Sequence, residues 1–226
     1  MFTHCNEYHE KFSEMKRLYE DNIRYYQIED KLCYPSITSV ISFINKDKFA
    51  GWRKRVGEEE ANRVTKHSTT RGTKFHTLCE VYLQNGDYKS LPEYQVPLVK
   101  LMFDAAKPHL DKRINNIYQQ ETSMSSDKFC LAGSVDLICE VDGELAVVDF
   151  KTAKEQKPVD WIQDYFVQLS AYWAMFSERT GRVPKKLVVF LVGENGDVQI
   201  EESRDIMHYL NTLHDYVSKF IQYRDA

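Results

Sequence analysis

The alternation of apolar and polar positions divides the chain into two parts of different character. Up to about residue 110 the pattern is mainly helical, and residues 70–83 and 94–110 give the clearest helices. From Ile114 onwards, short apolar runs between turn residues indicate strands. The pattern predicts an α/β fold with a mixed sheet and an all-helical N-terminal third.

The N-terminal part contains the weaker signals. Residues 6–20 indicate a polar helix and residues 24–34 a short extended run. Pro35-Ser36-Ile37-Thr38 then has the pattern of a helix start, with Ser36 as N-cap. We expect one domain over residues 1–226, in which residues 1–110 are mainly helical and residues 111–226 form the α/β core.

The second half of the chain contains predicted strands, turns and two long helices. Asp142-Gly143 is the strongest hairpin signal, and Ser125–Lys128 and Asn195-Gly196 indicate further turns. Strands are expected at residues 114–124, 129–141, 144–151, 186–192 and 198–201, and helices at 161–179 and 204–223.

Composition narrows the class of protein. Hydrophobic residues make up 42% of the 226 positions and the mean hydropathy is −0.52, which is typical of a soluble globular protein. No apolar run approaches the ~18–20 residues of a membrane span, and residues 1–10 do not have the apolar or Arg-rich pattern expected of a secretory signal or a transit peptide. The five cysteines are scattered without a C-x-x-C, which argues against a disulfide framework and a zinc or iron–sulfur site. We expect a cytoplasmic protein that does not contact membranes.

The hairpin at Asp142-Gly143 carries the candidate chemistry. If these two residues form the turn, Asp136 lies directly opposite Asp149, and Lys151 projects from the same face as Asp149. Opposed side chains have Cβ atoms ~5 Å apart, and like charges there destabilise a sheet. Both strands are otherwise apolar, so the two carboxylates need a compensating positive charge.

Two interpretations of this pair are open. Lys151 and a divalent cation such as Mg²⁺ would compensate the carboxylates, which describes a site for phosphodiester hydrolysis. Lys151 would then orient the attacking water or offset the developing negative charge. The alternative is a structural Asp–Lys–Asp network, in which a register slip of one residue sends the carboxylates to opposite faces.

The order of four motifs resembles the PD-(D/E)XK nuclease superfamily. Gly133-Ser-Val-Asp136, Asp149-Phe-Lys151 and Gln168-Leu-Ser-Ala-Tyr172 resemble its RecB-like branch, and Arg71–His76 followed by Glu80 resembles the helical motif of that branch. With Pro35–Val40, the chain is most similar to phage exonucleases and mitochondrial genome maintenance exonucleases. The resemblance spans Pro35 to Tyr172.

The resemblance implies a restriction-endonuclease-like core and a set of site residues. Asp136 and Asp149, with the backbone carbonyl of Phe150, would hold Mg²⁺ or Mn²⁺, and Lys151 would be the catalytic lysine. His76 would be a further metal ligand or phosphate contact. Gln168 and Tyr172 would position DNA or brace the site.

The implied function is a metal-dependent DNA exonuclease that prefers single-stranded ends. An endonuclease, a Cas4-like nuclease without an iron–sulfur cluster, or a DNA-binding relative without catalysis are the alternatives. By analogy with phage nucleases, a phage replication or recombination protein is an expected partner. The net charge of −4 requires that DNA contacts be local.

Second-rank candidates surround this set. If Ser125–Lys128 forms a four-residue loop, Glu121 falls opposite Ala132, where it is either an outer metal carboxylate or a solvated edge charge. Cations and an aromatic residue near the motifs suit the backbone of a DNA strand, with a solvated helix face as the alternative. These predicted DNA contacts are Trp52, Arg53, Arg71, Lys74 and Lys154.

Overall fold

A six-stranded mixed sheet forms the centre of the protein in a computed structural model, which describes residues 1–30 and 32–224. Its order is β1-β5-β6-β7-β8-β9, and β2, β3 and β4 form a separate antiparallel sheet. The strands are β1 (Thr3–His4), β2 (Arg17–Glu20), β3 (Ile23–Gln27), β4 (Cys33–Pro35), β5 (Ile114–Ser126), β6 (Leu131–Val141), β7 (Glu144–Ala153), β8 (Lys186–Gly193) and β9 (Val198–Ser203).

Helices cover both faces of the central sheet. They are α1 (Ile37–Ile44), α2 (Lys46–Val56), α3 (Glu58–Leu83), α4 (Pro97–Arg113), α5 (Gln163–Thr180) and α6 (Ile206–Arg224). The core on one face contains Phe166 and Phe176 of α5, and the core on the other contains Phe75 of α3 and Phe103 of α4. None of the helices in the described ranges is long and apolar enough to cross a lipid bilayer.

The predicted hairpin of β6 and β7 is confirmed in type and register. Val141 pairs with Glu144, and the ladder continues to Leu137 opposite Val148. Strand β7 then pairs in parallel with β8, and α5 provides the crossover between them. The strands are buried on both faces, so a charged side chain on them needs a specific partner.

The register between β5 and β6 differs from the prediction. The turn covers residues 127–130 rather than 125–128, and Met124 pairs with Gly133 instead of Phe129. Gln120 pairs with Leu137 and Thr122 with Val135, so Glu121 comes opposite Asp136. The predicted position of Glu121 opposite Ala132 is therefore wrong, and the carboxylate lies in the row of Asp136 itself.

The predicted polar helix over residues 6–20 is also wrong. Arg17–Glu20 forms strand β2, which turns through Asp21 and Asn22 into β3. Both turn residues have positive φ, 50° and 62°, as a two-residue hairpin of this hand requires. The N-terminal third thus combines a small sheet with helices. The predicted N-cap is confirmed, since Ser36 Oγ accepts a hydrogen bond of 3.0 Å from the backbone N–H of Ser39.

Candidate active site

Three potential metal ligands meet at one point of the fold. His76 of α3, Glu121 of β5 and Asp136 of β6 each present one ligand atom, and these atoms all lie within 4.8 Å of one another. His76 Nδ1 is 3.5 Å from Asp136 Oδ2. A helix and two neighbouring strands therefore bring together one imidazole and two carboxylates from distant parts of the chain.

Asp136 is fixed by the neighbouring strand. Its Oδ2 accepts a hydrogen bond of 2.8 Å from the backbone N–H of Phe150 in β7. This bond lies just beyond the last ladder pair of the hairpin, Leu137 and Val148. Asp136 is close enough to Asp149 to raise the pKa of that carboxyl group, while the paired ladder ends at Leu137 and Val148. The direct opposition of the two aspartates across the hairpin stays a prediction.

The buried Asp149 and the half-buried Lys151 form an ion pair on β7. Asp149 is 1% exposed, and Lys151 Nζ lies 2.7 Å from its Oδ1 and 2.6 Å from its Oδ2. Burial raises the pKa of Asp149, and the Lys151 ammonium opposes this shift. Burial alone would lower the pKa of Lys151, but Asp149 and Asp136 outweigh it and raise that pKa. Lys151 is therefore an ammonium at neutral pH.

Helix α5 continues the polar network. Gln168 Oε1 lies 3.4 Å from Lys151 Nζ, and Gln168 Nε2 donates a hydrogen bond of 3.1 Å to Tyr172 Oη. Tyr172 is buried, and its ring passes directly over Gly133 of β6. The glycine, the lysine and the Gln–Tyr pair thus belong to one connected arrangement.

Glu121 is crowded by like charges. Loss of hydration raises its pKa to about 8, and Asp136 and Glu80 add repulsion, whereas Arg17 lowers it. The side chain nevertheless has a solvent-exposed surface at the mouth of a cleft, which argues for a smaller desolvation effect. The neighbouring carboxylates determine that the pKa of Glu121 is raised, since like charges raise the pKa of a carboxyl group at an exposed or a buried site.

Tyr165 is a site residue that the sequence interpretation missed. Lys151 Nζ lies 5.2 Å from the centre of its ring, and Lys157 Nζ donates a hydrogen bond of 2.8 Å to its Oη. Tyr165 comes three residues before Gln168 on α5, and residues at this spacing share one face of a helix. That spacing is the signal by which the sequence could have indicated it.

The predicted phosphate contact Arg71 already has protein partners. It is 6% exposed, pairs with Glu194, and donates hydrogen bonds to the side chain and backbone oxygens of Thr152 at 3.1 and 3.3 Å. These contacts join α3 to the end of β7 and to the segment after β8. Its role in binding DNA stays a prediction.

The other predicted DNA contacts lie in different surroundings. Arg53 pairs with Glu58, and Trp52 packs on Phe49 at 5.3 Å between ring centres. Lys74 is half-buried on α3, two residues before His76, and Lys154 is exposed directly after β7. Neither lysine has an ion pair within residues 1–30 and 32–224, so both ammonium groups are available to a phosphate.

Comparison with known proteins identifies the family. Residues 49–223 match the profile of the PD-(D/E)XK nuclease superfamily. The chain belongs to this superfamily. The mixed six-stranded sheet with helices on both faces is the fold expected for a member, and the matched range contains His76, Asp136, Asp149, Lys151 and Gln168.

The individual proteins that the chain resembles have low sequence identity to it. The human protein mitochondrial genome maintenance exonuclease 1 is 26% identical over 136 residues, which is 57% of this chain and 38% of the human protein. A provisionally assigned exonuclease from Eubacterium rectale has 14% identity and a TM-score of 0.45 over 68% of this chain and 65% of its own. The crystal structure of SSO0001 has 14% identity and a TM-score of 0.37 over 76% and 70% of the two chains.

Proposed function

We propose that the chain is a divalent-metal-dependent DNA exonuclease of the RecB-like branch that acts on single-stranded ends. The observation that carries this proposal is the meeting of His76, Glu121 and Asp136 beside the Asp149–Lys151 ion pair. In a nuclease superfamily, carboxylates next to a protonated lysine are the groups that phosphodiester hydrolysis requires. The term exonuclease comes from the relatives, and we extend it to this chain.

The residues fit a hard divalent cation. The cluster offers two carboxylates and one imidazole, a donor set compatible with Mn²⁺ and with Mg²⁺. Burial raises the pKa of Glu121, and the Asp136 and Glu80 carboxylates raise it further, so a cation at this point would relieve the repulsion between them. We propose His76, Glu121 and Asp136 as side-chain ligands, together with Asp149 and the backbone carbonyl of Phe150.

Lys151 and the residues that contact it would have separate roles in the reaction. A cation bound at the cluster would stabilise charge on the scissile phosphate and lower the pKa of a water. The Lys151 ammonium offsets the negative charge that develops on the phosphate oxygens. Asp149 keeps Lys151 charged and in place, and Gln168 restricts its direction from α5. Tyr172 supports Gln168 through the bond from Nε2 to Oη.

DNA binding would use local cations in an otherwise acidic protein. Lys74, two residues before His76, and Lys154, directly after β7, supply unpaired positive charge, while the net charge of the chain is −4. We propose that the mainly helical residues 1–110 frame a channel for the strand over the α/β core of residues 111–226. A phage replication or recombination protein is the proposed partner by family analogy.

The test is cleavage of end-labelled linear single-stranded DNA beside a circular single strand, in Mg²⁺, in Mn²⁺ and in EDTA. We expect loss of the linear strand alone, with either metal and not in EDTA. Comparison of 5′ and 3′ labels gives the polarity. Cleavage of the circle would change the proposed function to that of an endonuclease with the same site. Binding without cleavage in both metals would indicate a DNA-binding relative without catalysis.

Variants link the activity to the site. Lys151→Ala removes the ammonium, and we expect a loss of at least about 100-fold in kcat, the usual effect of removing one charge-stabilising group. Asp149→Asn should behave similarly. Asp215→Asn changes an exposed carboxylate on α6 and should cleave like the wild type. Wild-type activity in Lys151→Ala would contradict the site assignment.

A further inference from the structure

A cavity of about 620 Å³ adjoins the cluster and shares Glu121 with it. One wall comes from the N-terminal segment between His9 and Arg17, and the other from β5 between Gln119 and Ser123. The volume lies within the ~300–1,000 Å³ range of pockets that hold one small ligand. The cavity is therefore large enough for a single nucleotide unit next to the candidate metal ligands.

Gln119 places an unpaired polar group on this wall. The residue is 4% exposed, and its Oε1 lies 3.0 Å from Thr122 Oγ1. Its Nε2 is buried and has no hydrogen-bond partner among the described residues. Buried amide groups without a partner are rare because each costs folding free energy. Gln119 lines the cavity, so rotation of its amide toward the interior would let an acceptor group there supply the missing partner.

The other wall residues define the class of ligand. Phe12 and Met15 provide apolar surface, and the half-buried Phe12 ring is itself fixed by stacking on Phe176 at 6.1 Å between ring centres. Glu14 and Glu121 also line the cavity, and Arg17 does so as well. Because Glu14 and Glu121 lie on these walls together with Arg17 and His9, the interior has no excess of fixed positive charge and favours a neutral planar group over a phosphate.

We propose that this cavity binds the base of the nucleotide that adjoins the scissile phosphate. Phe12 provides the packing surface for the base, and Gln119 Nε2 donates to an acceptor on its edge. Every nucleobase has such an acceptor, so the pocket accepts all four bases, as sequence-independent strand binding requires. The inference rests on the proposed function, because it takes the Glu121 cluster as the cleavage site.

Nucleotide binding without metal tests this proposal separately from cleavage. The full chain in EDTA is titrated with dAMP and with dCMP, and with deoxyribose 5-phosphate as a probe that lacks the base, by saturation-transfer NMR. We expect both nucleotides to bind at least about tenfold more tightly than the base-free probe. Equal affinities for the three probes would overturn the proposal, whatever the outcome of the cleavage assays.

Gln119→Met keeps the size of the side chain and removes the unpaired amide. We expect about tenfold weaker binding of dAMP and dCMP, the usual effect of one lost hydrogen bond, with unchanged affinity for deoxyribose 5-phosphate. Lys128→Gln, a change of an exposed cation outside the cavity, should bind all three like the wild type. Thermal unfolding confirms that each variant is folded.

Phe12→Ala provides an independent check of the packing surface. Removing the ring should weaken the binding of both nucleotides and leave the affinity for the base-free probe unchanged. Wild-type nucleotide affinity in both Gln119→Met and Phe12→Ala would show that the cavity does not hold the base. An inactive wild-type chain that still binds nucleotides through Gln119 would instead contradict the proposed cleavage and leave the pocket in place.

Discussion

The ring of Tyr172 occupies the space that a side chain at position 133 would need. A Cβ built on Gly133 would lie 2.7 Å from Tyr172 Cε1 and 3.2 Å from Ile37 Cγ2. Real Cβ atoms do not approach other heavy atoms so closely, and both neighbours are buried. The glycine that precedes Asp136 is thus required for α5 to dock on β6, and this docking positions Gln168 beside Lys151.

Gly133→Ala should therefore destabilise the protein and reduce its activity. Overpacking of a filled core costs about 1–3 kcal/mol, and displacement of Tyr172 would also move Gln168. Urea unfolding measures the first effect and kcat the second. Gly51→Ala is the matched control, since no atom lies within 4 Å of its Cβ position on helix α2, and it should stabilise by about 0.5–1 kcal/mol. Equal stability of the two variants would contradict the close-packing argument.

Tyr165 should matter to catalysis through its ring more than through its hydroxyl. The ring faces the Lys151 ammonium, whereas the hydroxyl accepts from Lys157. We expect Tyr165→Leu to lower kcat about 2- to 30-fold, the range of a cation–π contact of about 0.5–2 kcal/mol. Tyr165→Phe retains the ring and should retain most of the activity. A loss in Tyr165→Phe as large as that in Tyr165→Leu would assign the effect to the hydroxyl.

The thermal stability of the metal-free protein should fall as the pH rises from 5 to 8. The pKa of Glu121 is raised above its ordinary value of 4.5 in the folded state, and that of Asp149 is raised as well. A carboxyl group with a raised folded-state pKa stabilises the fold fully below its unfolded pKa, and loses this contribution as the pH passes its folded value. Melting temperatures in EDTA at several pH values measure the slope.

The same experiment has two internal controls. Glu121→Gln should flatten the slope, and Glu59→Gln, which alters an exposed carboxylate at the start of α3, should leave it unchanged. Mg²⁺ should raise the melting temperature most at pH 8, because a ligand that binds only the folded state stabilises it. A melting temperature that rises between pH 5 and 8 would refute the assignment.

Arg71→Gln should destabilise the protein. Breaking a buried ion pair costs about 3–5 kcal/mol, and we expect about 1–3 kcal/mol because the Glu194 side chain is 26% exposed. Urea unfolding gives the change in the free energy of unfolding. Lys74→Gln is the control on the same helix: it should raise KM for DNA and change stability by less than about 0.5 kcal/mol. A raised KM at full stability in Arg71→Gln would favour the predicted phosphate contact.

The sequence predicted those parts of the site that depend on local signals. Asp142-Gly143 sets the β6–β7 register, so the approach of Asp136 to Asp149 could be worked out by counting. The β5–β6 register could not be worked out in this way, because residues that are distant in the sequence hold the ends of those strands through hydrogen bonds. Ser126 Oγ donates a hydrogen bond of 2.5 Å to Glu178, and Arg179 Nη2 donates one of 3.0 Å to Ser125 Oγ. Glu178 and Arg179 both belong to α5.

The N-terminal error has a different cause. Residues 6–20 are polar and contain no glycine or proline, which favoured a helix. The reversal at Asp21-Asn22 uses two non-glycine residues with positive φ, a conformation that aspartate and asparagine tolerate but that their sequence does not require. One consequence was that Arg17, and with it the wall of the cavity beside Glu121, could not be placed from the sequence.

The two halves of the site differ in the sequence separation of the contacts that form them. The lysine half, Asp149 and Lys151 with Gln168, lies on the consecutive elements β7 and α5, so its contacts close over a short loop of chain. The cluster half requires α3 to dock on the sheet, which brings His76 next to Asp136 across a long sequence separation. A local opening that releases α3 would dissolve the cluster while the lysine pair persists. Hydrogen exchange of α3 amides should therefore slow on addition of a divalent cation more than that of α5 amides.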